Sequence, residues 1–332
     1  MQRNNTIDIA KFIAALLVIA IHTALFSDVD ERLYFIFNEL ICRLGVPFFA
    51  ICTGYYMYKQ ILNRGWNGVV KQEKKLLKIY GLWTILYFLF LLPNWIQIDY
   101  LSWGNVVGFC KSAVLTGSYY HLWYVLHVIY ALPVLFVVLR LAPPRVWIWI
   151  AGVLYCVNAL NYGYYELLPN SIVNYVSLVG KGYAIVGSQF VILPMMLCGA
   201  FLAWQNKSLD FKQSVFCLAL SFVLLVAEAC VLKYYVGKDK AVSYIFMILP
   251  TAYFLFATLL DIKVNAPFAN TLGKMSLIIY CVHPMFCRYI EEVISSSVLR
   301  FIIVCIISCV VNCLCIDFYR RIYRPILRNI IK

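Results

Sequence analysis

Charge is scarce in this sequence. Asp, Glu, Lys and Arg together make up 13% of the 332 residues, where a soluble domain carries about 25%. The acidic sign is the scarcer one, 15 residues against 28 basic. With 64% hydrophobic residues and a mean hydropathy of +0.83, this shortage excludes a large soluble domain. The thirteen cysteines include no Cys-x-x-Cys pair, which removes the usual structural metal frameworks. No Walker loop and no dinucleotide fingerprint is present, so a nucleotide-binding fold is not indicated. Ten-residue alternating strands are missing too, which argues against a transmembrane barrel. Nor is there an inverted repeat or a pair of broken helices of the kind many transporters show.

What is present is a series of continuous apolar runs of about 20 residues, the length that crosses a bilayer as a helix. Ten are expected, at 6–26, 34–58, 76–93, 119–140, 145–161, 180–204, 212–233, 242–260, 275–294 and 298–319. The fold class is therefore all-α, a polytopic membrane bundle of about ten helices forming one domain over 1–332. The segment 99–116 is too polar to span and is expected at the interface or as a re-entrant piece. A net charge of +13 would suggest nucleic acid in a soluble protein. Here the basic residues gather in loops on one side, so lipid is the expected partner and nucleic acid is not. The N-terminus, the C-terminus and the loops after spans two, four, six and eight hold eighteen Lys and Arg, against seven on the other side. By the positive-inside rule both termini are cytoplasmic. The first apolar run lacks a strongly basic start and a small-residue cleavage site after Phe26, so it reads as a retained helix.

That first run, Thr6 to Phe26, carries Asp8, Lys11 and His22 in an otherwise apolar stretch. Asp8 and Lys11 share a helix face, and His22 returns to it about 16 Å further on. Such a stripe is costly in lipid and points to a protein interior or a wet cavity. All four histidines, His22, His121, His127 and His283, fall in expected spans. None pairs with another at i, i+4, which argues against a metal or haem centre. His121, Tyr124 and His127 are spaced by three, beside Trp123. They read either as an interfacial aromatic belt or as a substrate lining. Ser276, Tyr280 and His283 share one face of the ninth span, where Pro284 frees a carbonyl near Tyr280. Glu39 and Arg43 stand at i, i+4 as a structural ion pair. Glu228 and Arg288 are intramembrane charges whose partners the sequence does not reveal. Gly45-Val46-Pro47-Phe48-Phe49 and Thr53-Gly54-Tyr55 predict a bent, closely packed helix. Cys305, Cys309 and Cys313 form a packing stripe. Lys71, Lys74, Lys75 and Lys78 cluster at the third span, either as a topology signal or as a phosphate site.

These residues resemble the acyltransferase-3 family of membrane acyltransferases, which includes O-acetyltransferases of bacterial cell-surface glycans. The family's first helix carries Asp, then Arg, then His after ten residues; here these are Asp8, Lys11 and His22. The stretch Gly45 to Tyr56 is similar to its Phe-Phe-x-x-Ser-Gly-Tyr signature. Lys75 and Lys78 stand where the family has Arg-x-x-Arg. Gly273, Ser276, Tyr280 and His283 look like its Gly-x-x-Ser-x-x-x-Tyr-x-x-His pattern. Lys in place of Arg keeps the charge but loses the planar fork that grips phosphate. The His121-Leu122-Trp123-Tyr124 stretch is similar to a subgroup, the membrane domains of vancomycin-resistance serine racemases, which is linked to serine rather than glycan.

The resemblance implies O-acetyl transfer from acetyl-CoA to a hydroxyl of a cell-envelope polysaccharide or its lipid-linked precursor, with no metal. His22 would be the general base or the carrier of an acetyl intermediate. Asp8 would hold Lys11, and Lys11 would meet the donor. Lys74, Lys75 and Lys78 would neutralise CoA phosphates. Tyr280 or Ser276 would donate to the oxyanion, with His283 completing the catalytic face. His121, Trp123, Tyr124 and His127 would meet the acceptor. The expected location is the inner or plasma membrane of a bacterium, alongside glycan-assembly machinery. The competing reading is a transporter or sensor of a small polar molecule such as serine.

Overall fold

The computed structural model describes residues 4–169, 171–172, 184–206, 210–236 and 244–318. Of the basic residues used to orient the chain, Arg3, Lys181, Lys207, Lys238, Lys240, Arg320, Arg321, Arg324, Arg328 and Lys332 lie outside the described residues. So do the first residues of the expected spans 180–204 and 242–260 and the last residue of 298–319.

Among the described residues the regular structure is all helical. The long helices are α1 (Asn5–His22), α2 (Glu31–Arg64), α3 (Trp66–Gln97), α4 (Trp103–Leu115), α5 (Trp123–Leu141), α6 (Pro144–Tyr162), α7 (Ala184–Gln205), α8 (Phe211–Tyr235), α9 (Ile248–Asp261), α10 (Ala269–Val293) and α11 (Ser297–Phe318). Each of the ten expected spans overlaps one of them. Seven are long and apolar enough to cross a membrane: α1, α2, α3, α5, α7, α8 and the Ser297–Leu314 part of α11. The protein is thus a polytopic helical membrane protein. α9 is a shorter apolar helix of 14 residues, about 21 Å at 1.5 Å per residue. α10 carries Lys274, Arg288, Glu291 and Glu292 in its 25 residues. The segment expected to be too polar to span is α4, whose 13 residues are also too few.

Local chemistry explains the helix ends. The Asn4 side chain accepts from the Ile7 N–H at 3.2 Å and starts α1. Asp30 accepts from the Leu33 N–H at 2.8 Å and starts α2. Ser102 caps α4 through the Asn105 N–H. α2 is irregular before it becomes regular. Tyr34–Ile41 is π-helical and Cys42–Leu44 forms a 3-10 turn, with α-helix resuming at Gly45. Pro47 has no N–H to give the Arg43 carbonyl, and the irregular turns lie just upstream of that gap.

The chain divides into two compact units, residues 1–45 with 263–332, and residues 46–262. In the first unit α1 lies along α10, and α11 packs on α10. Ala20, Leu25 and Cys42 form an apolar core with Leu17, Ile21, Phe26, Phe37, Val298 and Phe301 around it. Buried amides tie the helices together. Asn38 donates to the Ala20 carbonyl at 2.9 Å, and Asn312 to the Met275 carbonyl at 2.8 Å. The Asp28 carboxylate accepts the Ser297 N–H at 3.1 Å and the Ser297 hydroxyl, pinning the start of α11. The hydroxyl bond is the main reason the Asp28 carboxyl is held below its usual range.

In the second unit α5 and α6 pack on α7, and α8 packs on α9. Two glycines let the regular part of α2 touch α7. A Cβ at Gly54 would sit 1.9 Å from the Met196 carbonyl oxygen, and one at Gly199 would sit 1.9 Å from that of Ile51. Backbones this close need small residues, as in many membrane helix pairs.

Candidate active site

The sequence-predicted residues of the first unit converge. α1 and α10 run side by side, and their polar faces meet. Asp8 is buried at 5% exposure and accepts from the Lys11 ammonium at 3.3 Å. It fits because Gly273 of α10 has no side chain. A Cβ there would lie 2.5 Å from Asp8 Oδ1. The Gly-x-x-Ser pattern of α10 is thus a seat for the carboxylate of α1. Ser276 supports the same turn by donating to the Gly273 carbonyl at 3.0 Å. That hydroxyl is engaged within its own helix.

Further along the two helices, the His22 and His283 rings lie 5.3 Å apart between centroids, inclined by 31°. Tyr280 is 6.2 Å from His283, ring to ring. His283 is fully buried, and its Nδ1 lies 3.0 Å from the Ile279 carbonyl oxygen. A carbonyl only accepts, so in the neutral ring Nδ1 carries the proton and Nε2 presents a lone pair. The arrangement is a part-buried ion pair at one level and two imidazoles with a phenol at the other. It offers proton acceptors and a hydroxyl donor in a setting where electrostatic interactions are strengthened by low polarity.

Asn38 and Tyr34 make contacts that were not visible in the sequence. Asn38 grips the Ala20 carbonyl just before His22. Arg43 binds both Glu39 oxygens, at 3.0 and 3.1 Å, while Tyr34 donates to Glu39 at 3.2 Å. The i, i+4 ion pair is present, as its spacing implied, and the Arg43 charge also acts on His22. The sequence signal for this second role is weak, since nothing local relates Arg43 to a residue on another helix.

The remaining expected residues belong to the second unit. Lys74, Lys75 and Lys78 are exposed near the start of α3, with Lys71. His121, Trp123, Tyr124 and His127 do not form a single lining. His121 is buried against Tyr87 of α3 and Tyr119, at 5.1 and 5.8 Å. Tyr124 turns to α2, bonding Thr53 and facing Phe49 at 6.4 Å. His127 lies 5.0 Å from Trp123 and against Gly187 of α7, where a Cβ would stand 3.1 Å from its Cε1. Tyr124 and His127, three apart on α5, point about 60° apart, and His121 lies in the turn before that helix begins, so the three side chains reach three helices. Glu228, without a partner in the sequence, accepts the Phe246 and Met247 N–H groups at 2.8 Å each and the Tyr164 hydroxyl. It satisfies the open start of α9, where negative charge is favoured. Arg288 is half-buried. No group of three or more potential metal ligands exists among the described residues.

Comparison with known proteins gives one family. The acyltransferase-3 family, described as an acyltransferase domain, matches residues 4–319. An amino-acid racemase of Enterococcus faecalis is 26% identical over 323 residues, covering 91% of this chain and 44% of the relative. A serine/alanine racemase of Enterococcus gallinarum is 24% identical over 295 residues, covering 85% of this chain and 41% of the relative. The chain therefore spans less than half the length of these relatives. No solved structure matches it.

Proposed function

This chain belongs to the acyltransferase-3 family, and on that premise we propose that it is a membrane O-acetyltransferase. It would move acetyl from cytosolic acetyl-CoA to a hydroxyl of a cell-envelope polysaccharide or its lipid-linked precursor. The observation that carries this reading is the meeting of Asp8, Lys11 and His22 on α1 with Gly273, Tyr280 and His283 on α10.

The chemistry follows from the groups. The acceptor hydroxyl attacks the thioester carbonyl while His22 takes its proton. Tyr280 donates a hydrogen bond to the oxyanion that forms. Collapse of the tetrahedral species breaks the C–S bond, and the CoA thiolate recovers the proton from the imidazolium. The new ester stays on the acceptor. In the two-step variant His22 accepts the acetyl first and the acceptor hydroxyl then displaces it. His283, with its Nδ1 proton engaged by Ile279, keeps a fixed tautomer beside His22. Asp8 holds Lys11 toward the donor. Lys74, Lys75 and Lys78 neutralise CoA phosphates as point charges. The protein would work in a bacterial inner or plasma membrane next to glycan-assembly machinery.

The test is calorimetric titration of the purified, detergent-solubilised chain with acetyl-CoA, beside the Lys75→Ala/Lys78→Ala double variant. Micromolar binding that the variant loses supports the donor assignment. A folded wild-type chain that binds no acetyl-CoA overturns it. The likeness to an amino-acid racemase and a serine/alanine racemase favours a second reading, an amino acid such as serine as cargo in transport or sensing. Serine uptake without acetyl transfer would select that reading.

A further inference from the structure

The second unit holds a pocket that the chemistry above does not use. It lies where the last turn of α3, the connection through Tyr100, helix α4 and the loop 116–120 come together, with a volume of about 560 Å³, within the range of small-ligand sites. Its aromatic walls are Trp95, Tyr100, Phe109, Tyr119 and Tyr120. Its polar residues are Asn105, Ser112, Thr116 and Ser118. The Asn105 amide nitrogen donates to the Tyr100 carbonyl at 2.6 Å and the Thr116 hydroxyl to the Ser112 carbonyl at 3.3 Å, which leaves the amide and hydroxyl oxygens as acceptors for a ligand. None of its lining residues is charged.

The walls are braced. Trp95 meets Tyr100 and Phe109 edge-on at 5.3 and 6.0 Å. Tyr119 stacks on the buried Tyr87 at 4.3 Å and 20°. Ser118 is held by its N–H to Tyr80 Oη at 3.0 Å and by its hydroxyl to Thr84 at 2.8 Å. Gly117, at φ +119°, turns the loop where a Cβ would lie 2.9 Å from the Trp123 nitrogen.

The site of the pocket along α3 is informative. Lys75 and Trp95 are on one continuous helix, and the 20 residues between them span about 30 Å, the hydrocarbon thickness of a bilayer. The lysine cluster marks one membrane face by its charge. The pocket lies at the other end of α3.

We propose that this pocket binds an uncharged sugar ring of the acceptor glycan. Flat aromatic faces pack against the C–H face of a pyranose, while an amide and hydroxyls meet its ring hydroxyls. The uncharged lining disfavours the alternatives. A phosphate or CoA would need Lys or Arg, and a zwitterionic amino acid would need charges of both signs. The inference rests on the glycan-acceptor reading above and deepens it by naming the part of the acceptor that is held.

Gly108 provides the test, because it lines the pocket and a Cβ there meets nothing within 4 Å. Gly108→Leu therefore adds bulk to the pocket wall from a Cβ position that is itself open and favours the helix. Saturation-transfer NMR on the full chain in detergent would use a neutral tetrasaccharide of β-linked N-acetylglucosamine as probe. Saturable signals in the wild type and at least tenfold weaker half-saturation in Gly108→Leu, at unchanged unfolding temperature, are expected. Gly108→Ala should retain binding. Equal binding by Gly108→Leu, no saturable binding by the wild type, or displacement of the sugar by phospholipid alone would overturn the proposal. Acetyl-CoA titration on the same samples separates the two ideas. Intact donor binding with no sugar binding removes the pocket assignment alone, whereas sugar binding without donor binding removes the transferase reading.

Discussion

His22→Ala and His22→Gln remove the proton acceptor and leave the rest of the α1–α10 face in position. General-base catalysis typically supplies about 10²–10⁴-fold in rate, so acetyl transfer in reconstituted vesicles should fall by at least about 100-fold. Acetyl-CoA affinity should stay within a few-fold of wild type. Retained transfer in His22→Gln would assign the base elsewhere, with His283 the nearest candidate at 5.3 Å. Gly273→Ala tests the seat of Asp8. The added methyl must displace a carboxylate oxygen 2.5 Å away, and overpacking of this kind costs about 1–3 kcal/mol. A lowered unfolding temperature in detergent, with a matching loss of activity, is the expected result. An unchanged protein would mean that Asp8 can move without consequence.

At the scale of elements, helices here are joined by a few polar contacts at their ends and by close backbone approach in their middles. Glu228 is the clearest of the first kind. It receives two backbone N–H groups at the start of α9 and a hydroxyl from the turn after α6. Glu228→Ala leaves those N–H groups without their acceptor, and each such loss costs about 1–3 kcal/mol. Hydrogen exchange at the Phe246 and Met247 amides should accelerate, while Glu228→Gln, which keeps one acceptor oxygen, should fall between variant and wild type. Exchange unchanged in Glu228→Ala would show that the first turn of α9 is held by packing. The other kind of joint, at Gly54 and Gly199, was half legible. The Thr53-Gly54-Tyr55 stretch signals a close approach, but nothing local tells which helix approaches.

At the scale of the whole molecule, the membrane is the organising solvent. Every backbone polar group crossing it must be satisfied internally, which is why apolar runs of bilayer length become helices whatever their neighbours. The orientation expected from the basic loops can be checked on α3 alone. Lys75→Cys should react with a membrane-impermeant thiol reagent only from the cytoplasmic face, and Tyr120→Cys only from the opposite face. This should be done in a background where the exposed Cys110, Cys156 and Cys313 are replaced. Labelling of both positions from one side would deny that the helix crosses. The relatives add a second molecular-scale fact, that a chain of this kind can form less than half of a longer protein.

By itself the sequence determined that this protein is a helical membrane protein of the acyltransferase-3 family, and which residues of α1 and α10 form polar faces. Hydropathy, helical period and short motifs are local properties, and each of those conclusions needs only local information. Tertiary structure decided what the polar residues do to one another. It brought His22 to His283 across far-separated stretches of chain, set Asp8 into the space left by Gly273, engaged the Ser276 hydroxyl within its helix, and sent His121, Tyr124 and His127 to three different helices. It also supplied Glu228 with its backbone partners. These outcomes depend on the register and rotation at which helices pack, and that is settled by the fit of many side chains together rather than by the spacing along any one of them.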